Sequence, residues 1–205
     1  MIAGILLAAG RSQRMGQPKL LLPWHGVPLV RHVARLALRS GIDELIVVIG
    51  YRAAHVSAAL ADLPLRIVEN EHFLEGQSTS LRAGLAAVSA TTDAAIVLLA
   101  DQPLLRPATI DALVRCYQEH APLAVVPRYQ GQRGNPVLFA RTLFPALQTI
   151  SGDQGARAVI HEHQDRVQWL DTADQGVLLD VDTPDMYQQL VEREADSGAD
   201  SAAET

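Results

Sequence analysis

Short runs of apolar residues alternate with longer stretches of helical periodicity along most of this chain. The runs are rich in leucine and β-branched residues and predict strands at 2–8, 45–49, 65–68, 94–100 and 123–126. The stretches between them are amphipathic and predict helices at 29–40, 53–61, 80–89 and 108–120. Strands that alternate with helices form right-handed βαβ units, and wholly apolar strands are typical of sheets covered on both faces. The pattern therefore predicts a three-layer α/β/α fold around a mostly parallel sheet.

The pattern loosens after residue 127. Gly131, Gly134 and Pro136 indicate turns, 137–139 reads as a short strand, and the segment 152–157 opens a further helix. We expect one folded domain over residues 1–191. Residues 192–205 are polar and acidic without apolar periodicity, so we expect a disordered tail there.

Composition and charge narrow the classes of function. With 205 residues, 48% of them hydrophobic, the chain can bury one sizeable core. A net charge of -6 without a basic stripe argues against a nucleic-acid partner. The first apolar run is broken at Gly10 and followed by arginines, which is typical of neither a signal peptide nor a membrane span. The single cysteine, Cys116, excludes an internal disulfide, and we expect a cytoplasmic location.

A glycine-rich loop follows the first predicted strand and ends at Lys19. This residue is the only lysine among 17 basic residues. A loop with Gly10 and Gly16 that ends in an ammonium group is suited to hold phosphate oxygens. Neither the Walker A pattern nor G-x-G-x-x-G is present, so the loop indicates neither a P-loop kinase nor a dinucleotide oxidoreductase.

Carboxylates follow two of the apolar runs, where the site of a parallel sheet opens. Asp101 comes directly after the run 94–100, and beside a phosphate loop its expected ligand is Mg²⁺, although an Asx turn ahead of Pro103 is the alternative. Asp180 and Asp182 follow the run 177–179 and would share a face if the strand continued, which makes Asp182 a candidate second metal ligand. The cap of a helix that starts at Pro184 is an equally good role for Asp182.

A glycine and a Ser/Thr cluster open the helix predicted after residue 76. Its hydroxyls and backbone N–H groups are able to bind a nucleobase or a phosphate. Ser78 serves equally well as an ordinary helix cap. The residues leave both roles open.

Taken together, these motifs resemble those of nucleotidyltransferases that join a small molecule to a nucleoside monophosphate. The loop 7–19 and the segments 76–84, 99–103, 134–139, 152–157 and 180–184 occur in order over residues 1–190. The chain is thereby similar to the MobA-like NTP transferase family and, within it, to molybdenum cofactor cytidylyltransferases. The guanylyl-transferring relatives usually carry Leu-Ala-Gly-Gly in the loop, whereas Ala8, Ala9 and Gly10 match the cytidylyl type. Asn135 departs from the pattern, because these cytidylyltransferases often carry histidine there.

The resemblance implies a Rossmann-like fold of the nucleotide-diphospho-sugar transferase type and transfer of CMP from CTP to the phosphate of molybdopterin. Lys19 and Arg14 would act with Asp101 in catalysis, and Mg²⁺ would be held by Asp101 and Asp182. CTP would contact Leu7, Ala8, Ala9, Gly10, Ser12, Gly16, Lys19, Ser78 and Ser80. The acceptor would contact Gly134, Asn135, Pro136, Gly152, Asp153 and Arg157.

Two alternatives to this function stay open. The first is a transferase of the same fold that uses another nucleotide or a sugar or alcohol phosphate. The second is a non-catalytic carrier that binds the finished cofactor and delivers it. By the same resemblance, a molybdenum hydroxylase or its maturation chaperone is the expected recipient.

Overall fold

A single mixed sheet forms the centre of the molecule in a computed structural model, which describes residues 1–152 and 156–202. Among those residues the strands are β1 Ile2–Ala8, β2 Pro23–Trp24, β3 Val27–Pro28, β4 Glu44–Ile49, β5 Arg66–Glu69, β6 Ala94–Leu99, β7 Ala124–Tyr129, β8 Gln132–Arg133, β9 Val137–Ala140 and β10 Val167–Asp171. The helices are α1 Leu29–Leu38, α2 Ala53–Leu60, α3 Gln77–Ala87, α4 Pro107–His120, α5 Phe144–Gln148, α6 Arg157–Glu162 and α7 Pro184–Ala202.

The strand order of the main sheet is β10-β7-β9-β6-β1-β4-β5, and β8 pairs with β7 at one end. The pairs β1 with β4, β1 with β6, β4 with β5 and β7 with β10 are parallel. Strand β9 runs antiparallel to both of its neighbours, β6 and β7. The sheet is thus mostly parallel, as predicted, with one reversed strand inserted between its two parallel parts.

Two hydrophobic cores lie on opposite faces of the sheet, because alternate residues of each central strand point to opposite sides. In β4, Leu45, Val47 and Ile49 belong to the core beneath α1, α2 and α4, whereas Val48 packs into the core beneath α3 and α5. Helices therefore cover both faces, which confirms the predicted layers.

Close packing of α3 against β1 depends on Gly84. A Cβ atom at this position would lie 2.4 Å from Cγ2 of Ile5 and 3.2 Å from Cγ2 of Val48. The missing side chain lets the helix approach the strand. This contact limits how large a residue position 84 can hold without moving α3 away from β1.

The segment after residue 174 differs from the prediction. The run 177–179 is not a strand, because Gln175–Leu178 forms a 3-10 helix. Asp174 holds it by accepting hydrogen bonds from Gly176 N at 2.9 Å and from Thr109 Oγ1 at 2.6 Å. The strand that would have placed Asp180 and Asp182 on one face is therefore absent, and the prediction of a strand here was wrong.

The last helix, α7, continues past residue 191, where we had placed the end of the folded domain. The division into a domain of residues 1–191 and a disordered tail stays a prediction. Within the described residues, no helix combines the length and the apolar character that a membrane crossing requires.

Candidate active site

A cavity of about 500 Å³ opens at the carboxyl ends of β1 and β6. The loop after β1 forms one wall, the first turns of α3 and the residues before it form another, and Asp101 and Asp182 lie at its margin. Six of the residues predicted to bind the nucleotide line it, namely Leu7, Ala9, Gly10, Ser12, Lys19 and Ser80. The predicted residues Ala8, Gly16 and Ser78 do not line it.

The loop after β1 folds back on itself through Ser12. This residue has a left-handed backbone with φ of 56°, and its Oγ atom accepts a hydrogen bond from Lys19 N at 3.2 Å. Gly16, with φ of 64°, completes the turn. Within the described part of the chain, the backbone N–H groups of Gly10, Arg11 and Ser12 have no hydrogen-bond acceptor. The loop thus presents three successive N–H donors beside the cavity, as a phosphate site requires.

Four charged side chains converge at the end of this loop. Lys19 Nζ lies 2.6 Å from Asp101 Oδ2 and 3.1 Å from Asp182 Oδ1, and Arg14 Nη2 lies 3.0 Å from Asp182 Oδ2. Burial acts to lower the pKa of Lys19, but the attraction of Asp101 and hydrogen bonds to both carboxylates raise it above its ordinary value. Lys19 therefore remains charged at neutral pH.

Backbone contacts bring the two carboxylates together although 81 positions separate them in the sequence. Val181 N donates a hydrogen bond to Asp101 O at 2.8 Å, so the residue before Asp182 is tied to the end of β6. Thr183 Oγ1 accepts a hydrogen bond from Met186 N at 3.2 Å and caps α7. The cap is Thr183, which leaves the Asp182 carboxylate to face Lys19 and Arg14.

Behind these charges lies a buried polar pair that the sequence reasoning did not assign. Gln102 is 1% exposed, and its Nε2 atom donates to Asp180 Oδ1 at 2.7 Å and to Val177 O at 3.2 Å. Burial and the neighbouring charge of Asp101 raise the pKa of Asp180 to about 6. Through these two bonds Gln102 links the residues that follow β6 to the segment that precedes α7.

Ser78 and Ser80, predicted together, have different surroundings. Ser78 is buried, its hydroxyl has no partner among the described residues, and its backbone N donates to Gly152 O at 3.2 Å. Ser80 lines the cavity and accepts a hydrogen bond from Asn70 Nδ2 at 3.0 Å. Asn70 was missed in the sequence, where the only available signal was an amide two positions after a predicted strand.

Among the described residues that were predicted to bind the acceptor, none lines this cavity. Gly134 packs against Val177, where a Cβ atom would lie 2.6 Å from Cγ2 of Val177. Asn135 N donates to Val177 O at 2.9 Å, and the Asn135–Pro136 peptide is cis. Gly152 is exposed in a turn and Arg157 begins α6, while Asp153 lies outside the described residues.

Arg133 is a second cation on this side of the molecule that was not predicted. Burial, followed by repulsion from the charge of Arg157, lowers the pKa of Arg133. Neither arginine forms an ion pair within the described residues. The charges of these two guanidinium groups thus repel each other, and Arg133 directly precedes the turn at residues 134–136.

A family model described as the MobA-like NTP transferase domain matches residues 4–167. This match covers most of the chain, including the phosphate loop and Asp101. The chain belongs to the MobA-like NTP transferase family. The predicted family is thereby confirmed, and with it a nucleotidyltransferase family as the coarse functional class.

Curated relatives of this MobA-like protein carry different names. Nicotine blue oxidoreductase of Paenarthrobacter nicotinovorans is 34% identical over 93% of this chain and 96% of its own. Purine catabolism protein PucB of Bacillus subtilis is 33% identical over 92% of this chain and 95% of its own. Molybdenum cofactor cytidylyltransferase of Escherichia coli is 29% identical over 92% and 95%.

Solved structures with the same fold include Rv0371c of Mycobacterium tuberculosis, with a TM-score of 0.84, 36% identity and coverage of 93% of this chain and 97% of its own. A complex of Rv0371c with manganese has a TM-score of 0.81, 34% identity and coverage of 93% and 98%. A nucleotidyl transferase of Methanothermobacter has a TM-score of 0.82, 26% identity and coverage of 96% and 99%. These neighbours confirm the predicted fold class.

Proposed function

We propose that this protein transfers CMP from CTP to the terminal phosphate of a molybdopterin-type cofactor and releases pyrophosphate. The observation that carries the proposal is the meeting of Lys19 with Asp101 and Asp182 at the end of a loop of free N–H donors. Such an arrangement suits a substrate with several phosphate groups. The family match supports the nucleotidyl-transfer class, and the Escherichia coli cytidylyltransferase supports the substrates.

In this proposal the triphosphate lies against the loop 7–19, where the N–H groups of Gly10, Arg11 and Ser12 hold its oxygens. Lys19 and Arg14 offset the negative charge that builds up on the α-phosphate and the leaving pyrophosphate. The base lies on the opposite side, next to Ser80. Ser78 contributes by holding the first turn of α3 through its backbone contact with Gly152.

Asp101 and Asp182 suit a divalent cation. Their carboxylates share one ammonium group, so they already point to a common cation, and no cluster of three or more His, Cys, Asp or Glu side chains is found among the described residues. Mg²⁺ needs only one or two carboxylates when phosphate and water complete its shell. A bound Mg²⁺ ion would neutralise phosphate charge and orient the triphosphate. The manganese complex of Rv0371c supports a divalent cation in this family.

The chemical step requires positioning more than proton transfer. An oxygen of the acceptor phosphate attacks the α-phosphorus in line and forms a P–O bond, while the bond from the α-phosphorus to the bridging oxygen breaks and pyrophosphate leaves. A phosphate monoester is already a sufficient nucleophile, so no general base is needed. The residues supply alignment and charge compensation.

We place the acceptor beside the turn Gly134–Asn135–Pro136 and the start of α6, with Gly152 and Asp153 in the loop between. Arg157 meets the acceptor phosphate, since a guanidinium pairs with phosphate through two hydrogen bonds. Delivery to a molybdenum hydroxylase or its maturation chaperone, in the cytoplasm, completes the proposal. It includes neither a nucleic acid nor a membrane as partner.

The deciding experiment is a panel of CTP, GTP, ATP and UTP with Mg²⁺ and molybdopterin, in which pyrophosphate release and product mass are measured. The expected product is the cytidylylated cofactor. Lys19→Arg keeps the charge and should reduce turnover at least about tenfold, because a planar guanidinium cannot take the place of a compact ammonium. If pyrophosphate is released only with a sugar or alcohol phosphate, that compound and not molybdopterin is the acceptor. If the protein binds the cofactor but releases no pyrophosphate with any nucleotide, it is a carrier.

The name of nicotine blue oxidoreductase provides an observation in favour of a second function. A redox reaction would need a nicotinamide or flavin partner, and the sequence has no G-x-G-x-x-G motif. Oxidation of NADH or NADPH by the purified protein with a dye acceptor tests it directly. Redox turnover without pyrophosphate release would overturn the proposed transfer.

A further inference from the structure

Asn70 is a buried amide that connects three elements at the rim of the cavity. It directly follows β5, is 5% exposed, and its backbone N donates to Ile49 O at the end of β4 at 2.8 Å. Its side chain reaches forward to α3, where it contacts Thr79 and Ser80. Both the oxygen and the NH₂ group of its side chain have hydrogen-bond partners.

The orientation of this amide is fixed by a backbone donor. His72 N lies 3.0 Å from Asn70 Oδ1, and because a backbone N–H only donates, the atom facing it must be the oxygen. The NH₂ group therefore points the other way. Its two hydrogens serve Thr79 Oγ1 at 2.8 Å and Ser80 Oγ at 3.0 Å.

The hydroxyl groups of Thr79 and Ser80, which accept these bonds, differ in whether their own O–H groups have an acceptor. Thr79 Oγ1 has two carbonyl acceptors, Gly76 O at 2.9 Å and His72 O at 3.0 Å. Ser80 Oγ has no hydrogen bond in the described residues except the one it accepts from Asn70. Because the NH₂ group of Asn70 only donates, the O–H of Ser80 cannot point toward this amide and is left to donate into the cavity that Ser80 lines.

We propose that Asn70 is a positioning residue that keeps the O–H of Ser80 available to donate a hydrogen bond to the base of the bound nucleotide. On the side of Ser80 the cavity lining includes Phe73 and Leu74, whose apolar side chains suit the flat face of a base, whereas Lys19 and Arg14 are on the loop after β1. Cytosine offers two acceptors, its O2 and N3 atoms. This inference rests on the proposed function only in taking CTP as the ligand.

Asn70→Asp tests the direction of the hydroxyl without changing the shape of the side chain. One carboxylate oxygen still accepts from His72 N, and the other replaces the NH₂ group, so Ser80 turns its hydrogen toward it and the cavity loses its donor. We expect the affinity for CTP, measured by calorimetry, to fall about tenfold, the value of one hydrogen bond. The KM for CTP should rise by the same factor, while kcat at saturating CTP changes less than about threefold.

Further variants separate positioning from a structural effect. Ser80→Ala should weaken CTP as much as Asn70→Asp does, and the double variant should be no weaker than Ser80→Ala alone, since both changes remove one donor. Asn70→Ala, which offers no new acceptor, should weaken CTP less than Asn70→Asp. Thr79→Val is the matched control, because it loses a bond to the same amide outside the cavity and should leave CTP affinity unchanged.

The results distinguish this inference from the proposed function. Wild-type affinity for CTP in a folded Asn70→Asp protein, or a weaker Asn70→Ala than Asn70→Asp, would overturn the inference. An equal loss for dCTP, GTP and CTP would place the contact outside the base and overturn it as well. If the wild type binds CTP and the variants behave as expected but no cofactor is cytidylylated, the inference stands and the proposed reaction fails.

Discussion

Replacing Lys19 by methionine removes one positive charge from the centre of the candidate site and keeps a side chain of similar length. The ammonium is 12% exposed, and its partners Asp101 and Asp182 are 20% and 29% exposed. Without it the two carboxylates face each other, and the remaining cation near them is Arg14, which is 71% exposed. We therefore expect the variant to be less stable than the wild type. A cation that binds between the two carboxylates should restore part of the lost stability.

The size of the effect follows from this partial burial. Leaving a fully buried charge without its partner costs about 3–5 kcal/mol, whereas an exposed pair contributes about 0–1 kcal/mol. The intermediate exposure of this cluster indicates a cost of about 2 kcal/mol, or a melting temperature lower by about 4–8 °C for a chain of this length. Arg31→Met is the matched control. It removes a cation from Asp62, which is 70% exposed, and should lower the melting temperature less than Lys19→Met does.

Thermal melting with and without Mg²⁺, followed by a pyrophosphate-release assay, checks the reasoning. Because Mg²⁺ can replace the missing ammonium between the carboxylates, it should raise the melting temperature of Lys19→Met more than that of the wild type. Turnover should fall by more than in Lys19→Arg. A variant that melts within about 1 °C of the wild type, shows no added response to Mg²⁺ and keeps its turnover would refute the role of Lys19 in balancing these charges.

Three further changes test other parts of the site and the fold. Asp101→Asn should abolish Mg²⁺-dependent pyrophosphate release, and retained activity at ordinary Mg²⁺ rules out its metal role. Asp180→Asn should stabilise the protein at pH 7 but not at pH 4: the folded pKa of about 6 exceeds the ordinary 3.8, so ionisation costs stability as the pH rises through this window. The gain in the free energy of unfolding at pH 7 is at most about 3 kcal/mol, and about 1 kcal/mol after solvent screening. Urea unfolding of the variant and the wild type at both pH values measures this gain. An equal change in stability at pH 4 and pH 7 would contradict the prediction. Gly84→Ala should lower stability by about 1–3 kcal/mol through its clash with Ile5, and unchanged urea unfolding would show that α3 can shift.

The sequence predicts the central part of the fold well because its strands are apolar on both faces. Strands β1, β4 and β6 are continuous apolar runs, and the loop and Asp101 that follow two of them lie at one edge of the sheet. Edge strand β10 was not predicted. Its sequence, Val-Gln-Trp-Leu-Asp, has no fully buried position, includes two polar residues and lacks the apolar run that identified the others.

Local sequence patterns could not predict contacts between segments that are distant in the sequence. The apolar run 177–179 reads as a strand, but Gly176 lies so close to the backbone of Leu104 that a Cβ atom would be 2.2 Å from Leu104 O. This packing and the Asp174 cap turn the segment into a 3-10 helix. Likewise, nothing near Asn70 in the sequence indicates that its amide orients a serine ten residues later, because that contact depends on how α3 packs against the sheet.

One carbonyl joins the nucleotide half of the site to the proposed acceptor half. Val177 O accepts hydrogen bonds from Gln102, next to Asp101, and from the backbone of Asn135 in the cis-proline turn. The proposed nucleotide half is on the loops that follow β1 and β6, whereas the proposed acceptor half is the later segment around Arg133 and Arg157. Because the two halves meet through a backbone atom, side chains of the acceptor half can change without disturbing Lys19 and Asp101. If the proposed division is right, residues that select the acceptor lie in the turn at residues 134–136 or are Arg133 and Arg157, and substitutions there should change the choice of acceptor while the affinity for CTP stays the same.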